Sequence, residues 1–322
     1  MKAMVCEGQG TPETLKLTDL PDPVPGHDEV AIDVKAAAVN FGDTLMLGRP
    51  RPADEKVIPG YECAGIVSKI GAGVTDFAVG DRVMAFIWTG GYADKAVAKA
   101  VFTHRLPPDM DFAPAAGFIA TYGTAYHALK DRANIQPGET LLVLGAAGGA
   151  GLAAVEVGRA LGARVIAAAS TPEKIALCKS YGADETINYL TQDMVSVIAE
   201  LTDNRGVDII YDPVNGLLVE QLLERSTAPE CRLLVIGMAG GAFVPIPTST
   251  LLYRQLTVIG LIYGEAMRRN PTAGGIKALL TWHTQKRLRP LVSEIYPLAQ
   301  AGKAMQQLKS RAAKGKIILS MA

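Results

Sequence analysis

Three glycines at a regular spacing, Gly145, Gly148 and Gly151, indicate that this chain binds a bulky anion. They follow an apolar run typical of a buried strand, and residues 152–161 continue with the periodicity of a helix. A helix that begins inside a glycine cluster points its free backbone N–H groups at whatever lies over the turn, and only glycine lets a large anion come close. The pyrophosphate of a dinucleotide fits this pattern, although tight packing of a strand against a helix can require the same glycines.

The next strand and helix indicate which dinucleotide is bound. Residues 163–169 predict a second parallel strand, and Thr171 with Pro172 predicts the start of another helix. A protein that binds NAD usually carries Asp or Glu at the end of this strand, whereas this chain has Ser170 there and Lys174 four residues later. Because a serine and a lysine suit a 2′-phosphate, we expect NADPH rather than NADH. The alternative for Lys174 is an ordinary solvated lysine on a helix.

Composition excludes several classes of protein. The chain has 322 residues, of which 49% are hydrophobic, enough for two domains of ordinary size. Lys plus Arg and Asp plus Glu number 32 each, so there is no charge pattern for nucleic acid or an anionic membrane, and a small, mostly apolar substrate is expected. Neither a signal peptide nor a transmembrane helix is predicted, and we expect a cytoplasmic protein.

The cysteines and histidines form no pattern for metal binding. Cys6, Cys63, Cys178 and Cys231 are far apart and include no C-x-x-C pair, and the four histidines are equally scattered. We therefore expect neither a zinc site nor a disulfide.

The order of the predicted elements indicates the fold class. Up to about residue 105 the chain has short strands separated by Pro and Gly, which predicts a mostly antiparallel β domain. An apolar helical segment over 112–132 follows, and strands then alternate with helices as far as a last strand over 256–263. This alternation predicts an α/β fold with a doubly wound parallel sheet of about six strands, the Rossmann type. The predicted domains are 1–117 with 265–322, because the final strands return to the first domain, and 118–264.

Eight motifs in order carry a resemblance that covers the whole chain. They are AAVNFGDTLM, PGYECAGIVSKIGAGVTDFAVGDRVMAF, GGYADKAVA, ATYGTAYHAL, VLGAAGGAGLAAVEVGRALGARVIAAAS, YGADETINY, GVDIIYDPVNG and SRAAKGKIIL. With them the chain resembles the zinc-independent quinone oxidoreductases of the medium-chain dehydrogenase/reductase superfamily. The resemblance implies a Rossmann NADP-binding domain and a mostly β, GroES-like catalytic domain formed by the N-terminal part and the C-terminal tail.

The resemblance also implies chemistry without a metal. Zinc-dependent alcohol dehydrogenases of the superfamily carry Cys and His ligands at the positions of Asn40, Tyr61 and Ala120, and all three are lost here. The cysteine-rich loop that binds their structural zinc, expected between Gly91 and Pro108, is also absent. We therefore expect direct hydride transfer from NADPH to an acceptor that is already electron-poor, a quinone or an α,β-unsaturated carbonyl compound.

Family correspondence assigns roles to individual residues. Asn40 and Thr124 would position the nicotinamide, and no residue is assigned as a certain acid or base. The other implied cofactor contacts are Gly145, Ala147, Gly148, Gly149, Ala150, Gly151, Ser170, Lys174, Tyr189, Asn215, Gly237, Met238, Leu261, Ile262, Tyr263 and Arg311. The substrate pocket would be lined by Asp43, Leu45, Tyr61, Trp88 and Tyr92.

Several of these residues have a purely structural alternative. Asn40 could be a turn residue, Asp43 a helix cap, Thr124 a helix threonine bonded to its own backbone and Tyr189 a core tyrosine. Core packing is likewise the alternative for the three aromatic residues of the predicted pocket.

Two other functions and one assembly state follow from the same resemblance. An enoyl-thioester reductase could use Arg49 and Arg51 to meet the phosphates of coenzyme A, although residues 41–60 lack the tyrosine that such relatives use as proton donor. A non-catalytic NADPH-binding protein is the alternative from another class. In the family the last strand of the sheet pairs with its twin, so the apolar stretch 255–263 predicts a homodimer.

Overall fold

The computed structural model describes residues 1–241 and 243–321, and at Leu217 and Leu218 it describes only the backbone. The chain divides into two compact units. The first unit comprises Met1–Ala120 and Pro290–Ala322, and the second unit comprises Thr121–Arg289.

Strands and helices are short throughout the described chain. The strands are β1 (Lys2–Glu7), β2 (Lys16–Asp19), β3 (Glu29–Val39), β4 (Lys56–Val57), β5 (Glu62–Ile70), β6 (Arg82–Phe86), β7 (Lys95–Lys99), β8 (Thr103–Arg105), β9 (Thr140–Val143), β10 (Arg164–Ala169), β11 (Glu185–Asn188), β12 (Val207–Asp212), β13 (Thr227–Val235), β14 (Thr257–Gly260), β15 (Val292–Pro297) and β16 (Lys316–Ser320). The α-helices are α1 (Phe41–Leu47), α2 (Phe112–Ala116), α3 (Thr124–Tyr126), α4 (Gly149–Ala160), α5 (Pro172–Ser180), α6 (Met194–Leu201), α7 (Leu217–Arg225), α8 (Thr248–Arg254), α9 (Tyr263–Arg269), α10 (Ile276–Thr284) and α11 (Ala301–Lys309). Turns of 3-10 helix cover Pro12–Thr14, Ala100–Phe102 and Leu298–Gln300, and π-helical turns cover Ile119–Gly123 and His127–Arg132.

The first unit is the predicted, mostly antiparallel β domain. Its larger sheet has the order β15-β16-β3-β5-β6-β8 with β7 also paired to β3, and its smaller sheet has the order β2-β1-β4. β16 pairs with β3 so that Ile317 lies opposite Val39, and the end of the chain therefore returns to the first sheet. Aliphatic side chains such as Ile32, Leu47 and Val83 form the core of this unit.

The second unit contains a doubly wound parallel sheet, as predicted. Its six strands are parallel and have the order β11-β10-β9-β12-β13-β14, which is 3-2-1-4-5-6 in order of appearance. This is the strand order of a Rossmann fold. Every residue of the central strand β9 is buried, because helices cover both faces of such a sheet. The α/β fold class is confirmed.

The last strand of the sheet is shorter than predicted. The sequence predicts one strand over 256–263, but β14 ends at Gly260 and α9 begins at Tyr263. The hydroxyl of Tyr263 donates to the carbonyl of Ala273 at 2.9 Å, so this residue packs within the helical layer instead of extending the sheet. A helix that was not predicted, α8, precedes β14.

The second unit also extends beyond residue 264, where the sequence places the end of the Rossmann domain. The N–H of Gly274 donates to the Asp131 carboxylate at 3.2 Å, and the rings of Tyr126 and Trp282 lie 5.7 Å apart. These contacts join residues 265–289 to the Rossmann unit rather than to the β domain.

The predicted helical segment over 112–132 is divided into several pieces. α2 ends at Ala116 with Gly117 as its C-cap residue, and π-helical turns lie on both sides of α3, which carries Thr124. Turns of this kind are frequent at functional sites. Within the part of the chain that the structure describes, no helix is long and apolar enough to cross a membrane.

Candidate active site

The glycine turn, residues 145–151, connects β9 to α4 in the second unit. Gly145 has φ +56°, a left-handed conformation that favours glycine. A Cβ atom at Gly151 would lie 2.4 Å from the carbonyl oxygen of Gly145, so this glycine is required by close packing within the turn. A Cβ atom at Gly148 would meet nothing nearer than 3.5 Å. The turn therefore combines the two interpretations, because packing requires Gly151, whereas a Cβ atom at Gly148 would make only an ordinary van der Waals contact.

The first N–H groups of α4 suit an anion. Gly148 is the N-cap residue of α4, with φ −78° and ψ 170°, and Gly149, Ala150 and Gly151 form the first turn. The N–H groups of a first helical turn have no acceptor within the helix, and the positive end of the helix dipole adds to their attraction for negative charge. Ala147 precedes them as a buried residue. This geometry fits a pyrophosphate.

Ser170 and Tyr189 lie side by side at the carboxyl edge of the sheet. Ala169 and Asn188 are opposite each other in the pairing of β10 with β11, so the two residues that follow them are neighbours. The N–H of Tyr189 donates to the carbonyl of Ala169 at 3.1 Å. The Tyr189 side chain is exposed, which does not fit the alternative of a core tyrosine.

Lys174 lies in the first turn of the helix that starts at this edge. The hydroxyl of Thr171 accepts a hydrogen bond from the N–H of Lys174 at 3.3 Å and caps α5, as the sequence predicts. Neither position 170 nor position 171 carries a carboxylate. A hydroxyl, a phenol and an ammonium group therefore belong to neighbouring elements at one edge.

Asn215 and Gly237 follow the next two strands at the same edge. Asn215 has φ +60°, and its side-chain oxygen accepts from the N–H of Gly216 at 2.8 Å. The buried carboxyl of Asp212 holds this turn by accepting from the N–H of Asn215 at 2.7 Å. A Cβ atom at Gly237 would lie 2.9 Å from the carbonyl oxygen of Pro213, so the two turns are closely packed. Met238, which follows, is half-buried.

The three predicted cofactor contacts that follow β14 have different environments. Leu261 and Tyr263 are buried, whereas Ile262 is 73% exposed. A Cβ atom at Gly123 would lie 2.5 Å from the ring of Tyr263, so Tyr263 packs directly against the residue before Thr124. Thr124 itself is half-buried. Tyr263 thus supports the helix that carries Thr124.

The charged cluster of the first unit consists of Asn40, Glu62 and Lys316. The Lys316 ammonium donates to the Asn40 side-chain oxygen at 2.5 Å and to Glu62 Oε1 at 3.3 Å. The Asn40 Nδ2 group donates to the same Glu62 oxygen at 2.9 Å. Glu62 Oε2 accepts from the N–H of Ala120 at 2.8 Å. The side chains of Glu62 and Lys316 are only 1% and 11% exposed, so this ion pair is buried.

Sequence reasoning missed Glu62 and Lys316. Both charges stand in strands that are otherwise mostly apolar, β5 and β16. A charged residue is rarely buried without a partner, and this rule could have singled out the two residues as a pair.

Asp43 caps α1 and lies in the core of the first unit. Its carboxyl accepts from the N–H of Asn40 at 2.9 Å, the N–H of Gly60 at 3.2 Å and the hydroxyl of Tyr92 at 2.9 Å. Burial raises the pKa of this carboxyl from 3.8 to about 7 against the opposing effect of these donors. Asp43 and Tyr92 are both fully buried, which fits their structural alternatives and does not fit a side chain that lines a pocket.

Tyr61 and Trp88 belong to an aromatic group in the first unit. The ring of Tyr61 lies 5.4 Å from that of Phe86, and the ring of Trp88 packs edge-on against Phe86 at 5.0 Å and Phe102 at 4.7 Å. Trp88 has φ +60°, which is uncommon for a bulky residue. Both Tyr61 and Trp88 are half-buried, and Leu45 on α1 is exposed.

The arginines singled out in the sequence lie at the surface of the first unit. The Arg51 guanidinium donates to the carbonyl of Met46, and Arg49 is exposed. Arg311 is exposed, follows α11 and has φ +61°.

The residues at the positions of zinc ligands do not fit zinc. Zinc is held by thiolate, imidazole or carboxylate ligands. The Asn40 carboxamide is bonded instead to an ammonium and a carboxylate, burial raises the pKa of the Tyr61 phenol well above its usual range, and Ala120 has no ligand atom in its side chain. In residues 1–241 and 243–321, no group of three or more His, Cys, Asp or Glu side chains could hold a metal ion.

A second buried carboxyl, Glu156, lies on α4 behind the glycine turn. It accepts from the hydroxyl of Tyr122 at 2.6 Å and from the N–H of Arg289 at 3.0 Å. Burial raises the pKa of this carboxyl from 4.5 to about 7.

Comparison with known proteins finds related sequences along the whole chain. The model of the alcohol dehydrogenase GroES-like domain matches residues 26–128, and the model of the zinc-binding dehydrogenase family matches residues 149–279. Quinone oxidoreductase-like protein 2 of Bos taurus is 32% identical over 306 residues, 94% of this chain and 87% of that protein. The 2-haloacrylate reductase of a Burkholderia species is 30% identical over 331 residues, 98% of each protein.

Solved structures agree with these relatives. The crystal structure of Escherichia coli quinone oxidoreductase complexed with NADPH is 28% identical and has a TM-score of 0.90, covering 99% of this chain and 100% of that one. The two matching domains, the 32% identity over nearly the full length and the shared architecture agree with one another. The chain therefore belongs to the zinc-independent quinone oxidoreductase family of the medium-chain dehydrogenase/reductase superfamily.

Proposed function

We propose that this protein is an NADPH-dependent oxidoreductase that transfers a hydride to a quinone or an α,β-unsaturated carbonyl compound without a metal. The observation that carries the proposal is the glycine turn, where Gly148 is the N-cap of α4 and a Cβ atom there would make only an ordinary van der Waals contact. Members of the family named quinone oxidoreductase and 2-haloacrylate reductase support the two acceptor classes.

The edge formed by Ser170, Lys174 and Tyr189 supports NADPH over NADH. These side chains offer hydroxyl, ammonium and phenol donors, and no carboxylate stands at positions 170 and 171 to repel a phosphate. Charge-assisted hydrogen bonds from such donors suit a 2′-phosphate. The complex of the Escherichia coli relative with NADPH supports the same assignment.

The chemistry needs little from the protein beyond binding and orientation. NADPH, when bound, supplies a hydride, and the acceptor takes up this hydride together with one proton from solvent. The chain would hold the pyrophosphate at the glycine turn and position the nicotinamide with Asn40 and Thr124. Asn215, Gly237, Met238, Leu261, Ile262 and Arg311 are further proposed cofactor contacts. Leu45, Tyr61 and Trp88 are the proposed substrate contacts that retain some exposure.

A panel of acceptors tests this function. Purified protein should oxidise NADPH, followed by the absorbance of the reduced cofactor, when a simple 1,4-quinone or an enone is added. Faster turnover of a crotonyl thioester than of the quinone or the enone would favour an enoyl-thioester reductase. Tight NADPH binding with every acceptor inert would instead identify a non-catalytic binding protein.

Zinc content tests the absence of a metal requirement. The buried ammonium of Lys316, bonded to Asn40, argues against a second cation at that place. We expect no stoichiometric zinc after purification and unchanged activity in the presence of a chelator. Loss of activity on chelation would contradict this part of the proposal.

We further propose a homodimer formed through the edge strand β14. This strand is the last of the sheet, and Val258 on it, Ile262 after it and Leu252 and Tyr253 on α8 are exposed apolar side chains. Unpaired strand edges with such side chains favour pairing with another chain. Light scattering at micromolar concentration should give the mass of two chains. Val258→Lys should shift the measured mass towards that of a single chain.

A further inference from the structure

The Asn40 carboxamide is held at both ends by groups of opposite charge. Its oxygen accepts from the Lys316 ammonium at 2.5 Å, and its Nδ2 group donates to the Glu62 carboxylate at 2.9 Å. If the amide were flipped, its N–H groups would face the ammonium and its oxygen would face the carboxylate. Both contacts would be repulsive, so the ion pair determines which way the amide points.

The ion pair is itself fixed by the backbone of the first unit. The Lys316 ammonium has three donors, and besides Asn40 and Glu62 it bonds the carbonyl of Val39 at 3.2 Å. Glu62 uses its second oxygen to accept from the N–H of Ala120 at 2.8 Å. Because both charged groups are buried and bonded in this way, their field on the amide is strong and its direction is constant.

The orientation leaves part of the amide available to a ligand. The Asn40 side-chain oxygen accepts from the Lys316 ammonium and, in the capping box of α1, from the N–H of Asp43, so its two acceptor positions are used. The Nδ2 group has two hydrogens, one on Glu62 and the other directed at the carbonyl of Ala38 over a long 3.4 Å. The second Nδ2 hydrogen is therefore the weakly used part of the amide, and the ion pair fixes its direction.

We propose that Lys316 and Glu62 are positioning residues for hydride transfer, which act by fixing the polarity of the Asn40 carboxamide towards the nicotinamide end of NADPH. The inference rests on the proposed function, because it assigns Asn40 to the nicotinamide. Neither charged residue needs to touch the cofactor, since each acts through Asn40.

The test uses the double variant Glu62→Gln/Lys316→Met, which removes both charges together and leaves neither buried alone. We expect the single-turnover rate of NADPH oxidation by a saturating 1,4-quinone to fall by between about tenfold and 100-fold, since small misplacements of reacting groups have effects of this size. Binding of NADPH should weaken, whereas binding of 2′-phospho-ADP-ribose, which lacks the nicotinamide, should stay unchanged. A merely structural role would weaken both ligands. Lys314→Met, at an exposed lysine two residues before Lys316, is the matched control and should behave as wild type.

A double-mutant cycle shows whether the pair acts through Asn40. Once Asn40→Ala has removed the amide, adding Glu62→Gln/Lys316→Met should cause little further loss of rate. A wild-type rate in the double variant, or a loss that adds in full to that of Asn40→Ala, would overturn the inference. If the wild type is inert with every acceptor, the proposed function fails, and the comparison of NADPH with 2′-phospho-ADP-ribose still decides the inference.

Discussion

The glycine turn of the second unit and the charged cluster of the first unit are built in opposite ways. The turn consists of seven consecutive residues, and its useful groups are backbone N–H donors. The cluster consists of three side chains, in which Glu62 lies 22 residues from Asn40 and 254 from Lys316. A site made of consecutive backbone is sensitive to added atoms, whereas a site made of distant charges is sensitive to the loss of one charge. The following predictions test this difference.

The largest effect is expected from Lys316→Met, which leaves the Glu62 carboxylate buried without its cation. Removal of one partner of a buried ion pair costs about 3–5 kcal/mol of stability, because an uncompensated charge stays in a medium of low polarity. Urea unfolding followed by tryptophan fluorescence measures the change, with Trp282 of the second unit replaced by Phe in every sample so that Trp88 reports on the first unit. Glu62→Gln/Lys316→Met should recover part of the loss. If Lys316→Met is as stable as Lys314→Met, the cluster is not held by this pair.

The next effect concerns the choice of dinucleotide at the edge of the second unit. Lys174→Ala should weaken NADPH by about 1.5–3 kcal/mol, a factor of about 10 to 150, and leave NADH nearly unchanged. Ser170→Asp should do more, since it adds repulsion against the phosphate and offers NADH an acceptor for its ribose hydroxyls. Titration of both dinucleotides at several salt concentrations measures this, with Lys179→Ala on the same helix as control. If Lys174→Ala weakens the binding of NADPH and NADH equally, Lys174 is an ordinary solvated helix residue and does not contact the 2′-phosphate.

Two glycine substitutions separate packing from ligand space in the glycine turn. Gly151→Ala should destabilise the protein by about 1–3 kcal/mol, because the new Cβ atom meets backbone atoms at 2.4 and 2.6 Å. Gly148→Ala should change stability by less than about 1 kcal/mol, because the new Cβ atom meets nothing nearer than 3.5 Å, yet weaken NADPH about tenfold because this atom would stand beside the proposed pyrophosphate site. Thermal unfolding and NADPH titration on the same samples distinguish a loss of stability from a loss of NADPH affinity. Unchanged NADPH binding in Gly148→Ala would place the pyrophosphate elsewhere.

The last prediction is a pH dependence of stability that both units share. Burial raises the pKa of Asp43 from 3.8 to about 7 and that of Glu156 from 4.5 to about 7, so the native protein keeps these protons to higher pH than the unfolded chain does. Stability should therefore fall as pH rises from about 4 to 7, by at most about 1.4 kcal/mol per pH unit for each group. Glu156→Gln should reduce the slope of unfolding free energy against pH in this range, and Asp43→Asn should do the same for the first unit. A slope that neither variant changes would mean that other groups titrate there.

Local patterns predicted most of the fold. The six parallel strands, the helix that starts in the glycine turn and the Thr171 cap of α5 depend on neighbouring residues, and all are present in the predicted order, although β13 spans Thr227–Val235 rather than 232–240. The end of β14 was predicted wrongly because residues 261–263 are as apolar as a strand. In the structure α9 begins at Tyr263 instead, and the ring of Tyr263 packs against Gly123, far away in the chain.

The sequence by itself determined the Rossmann unit and its glycine turn, since both are visible in short stretches of residues, and the family resemblance located the missing zinc ligands at positions 40, 61 and 120. Only the tertiary structure decided that Asp43 and Tyr92 bond each other in the core, that Ser170 and Tyr189 are neighbours, and that Lys316 reaches Asn40 and Glu62. The physical reason is the range of the interactions. Strand and helix patterns arise from neighbours along the chain, whereas a buried charge depends on a partner that only the folded backbone brings within hydrogen-bonding distance.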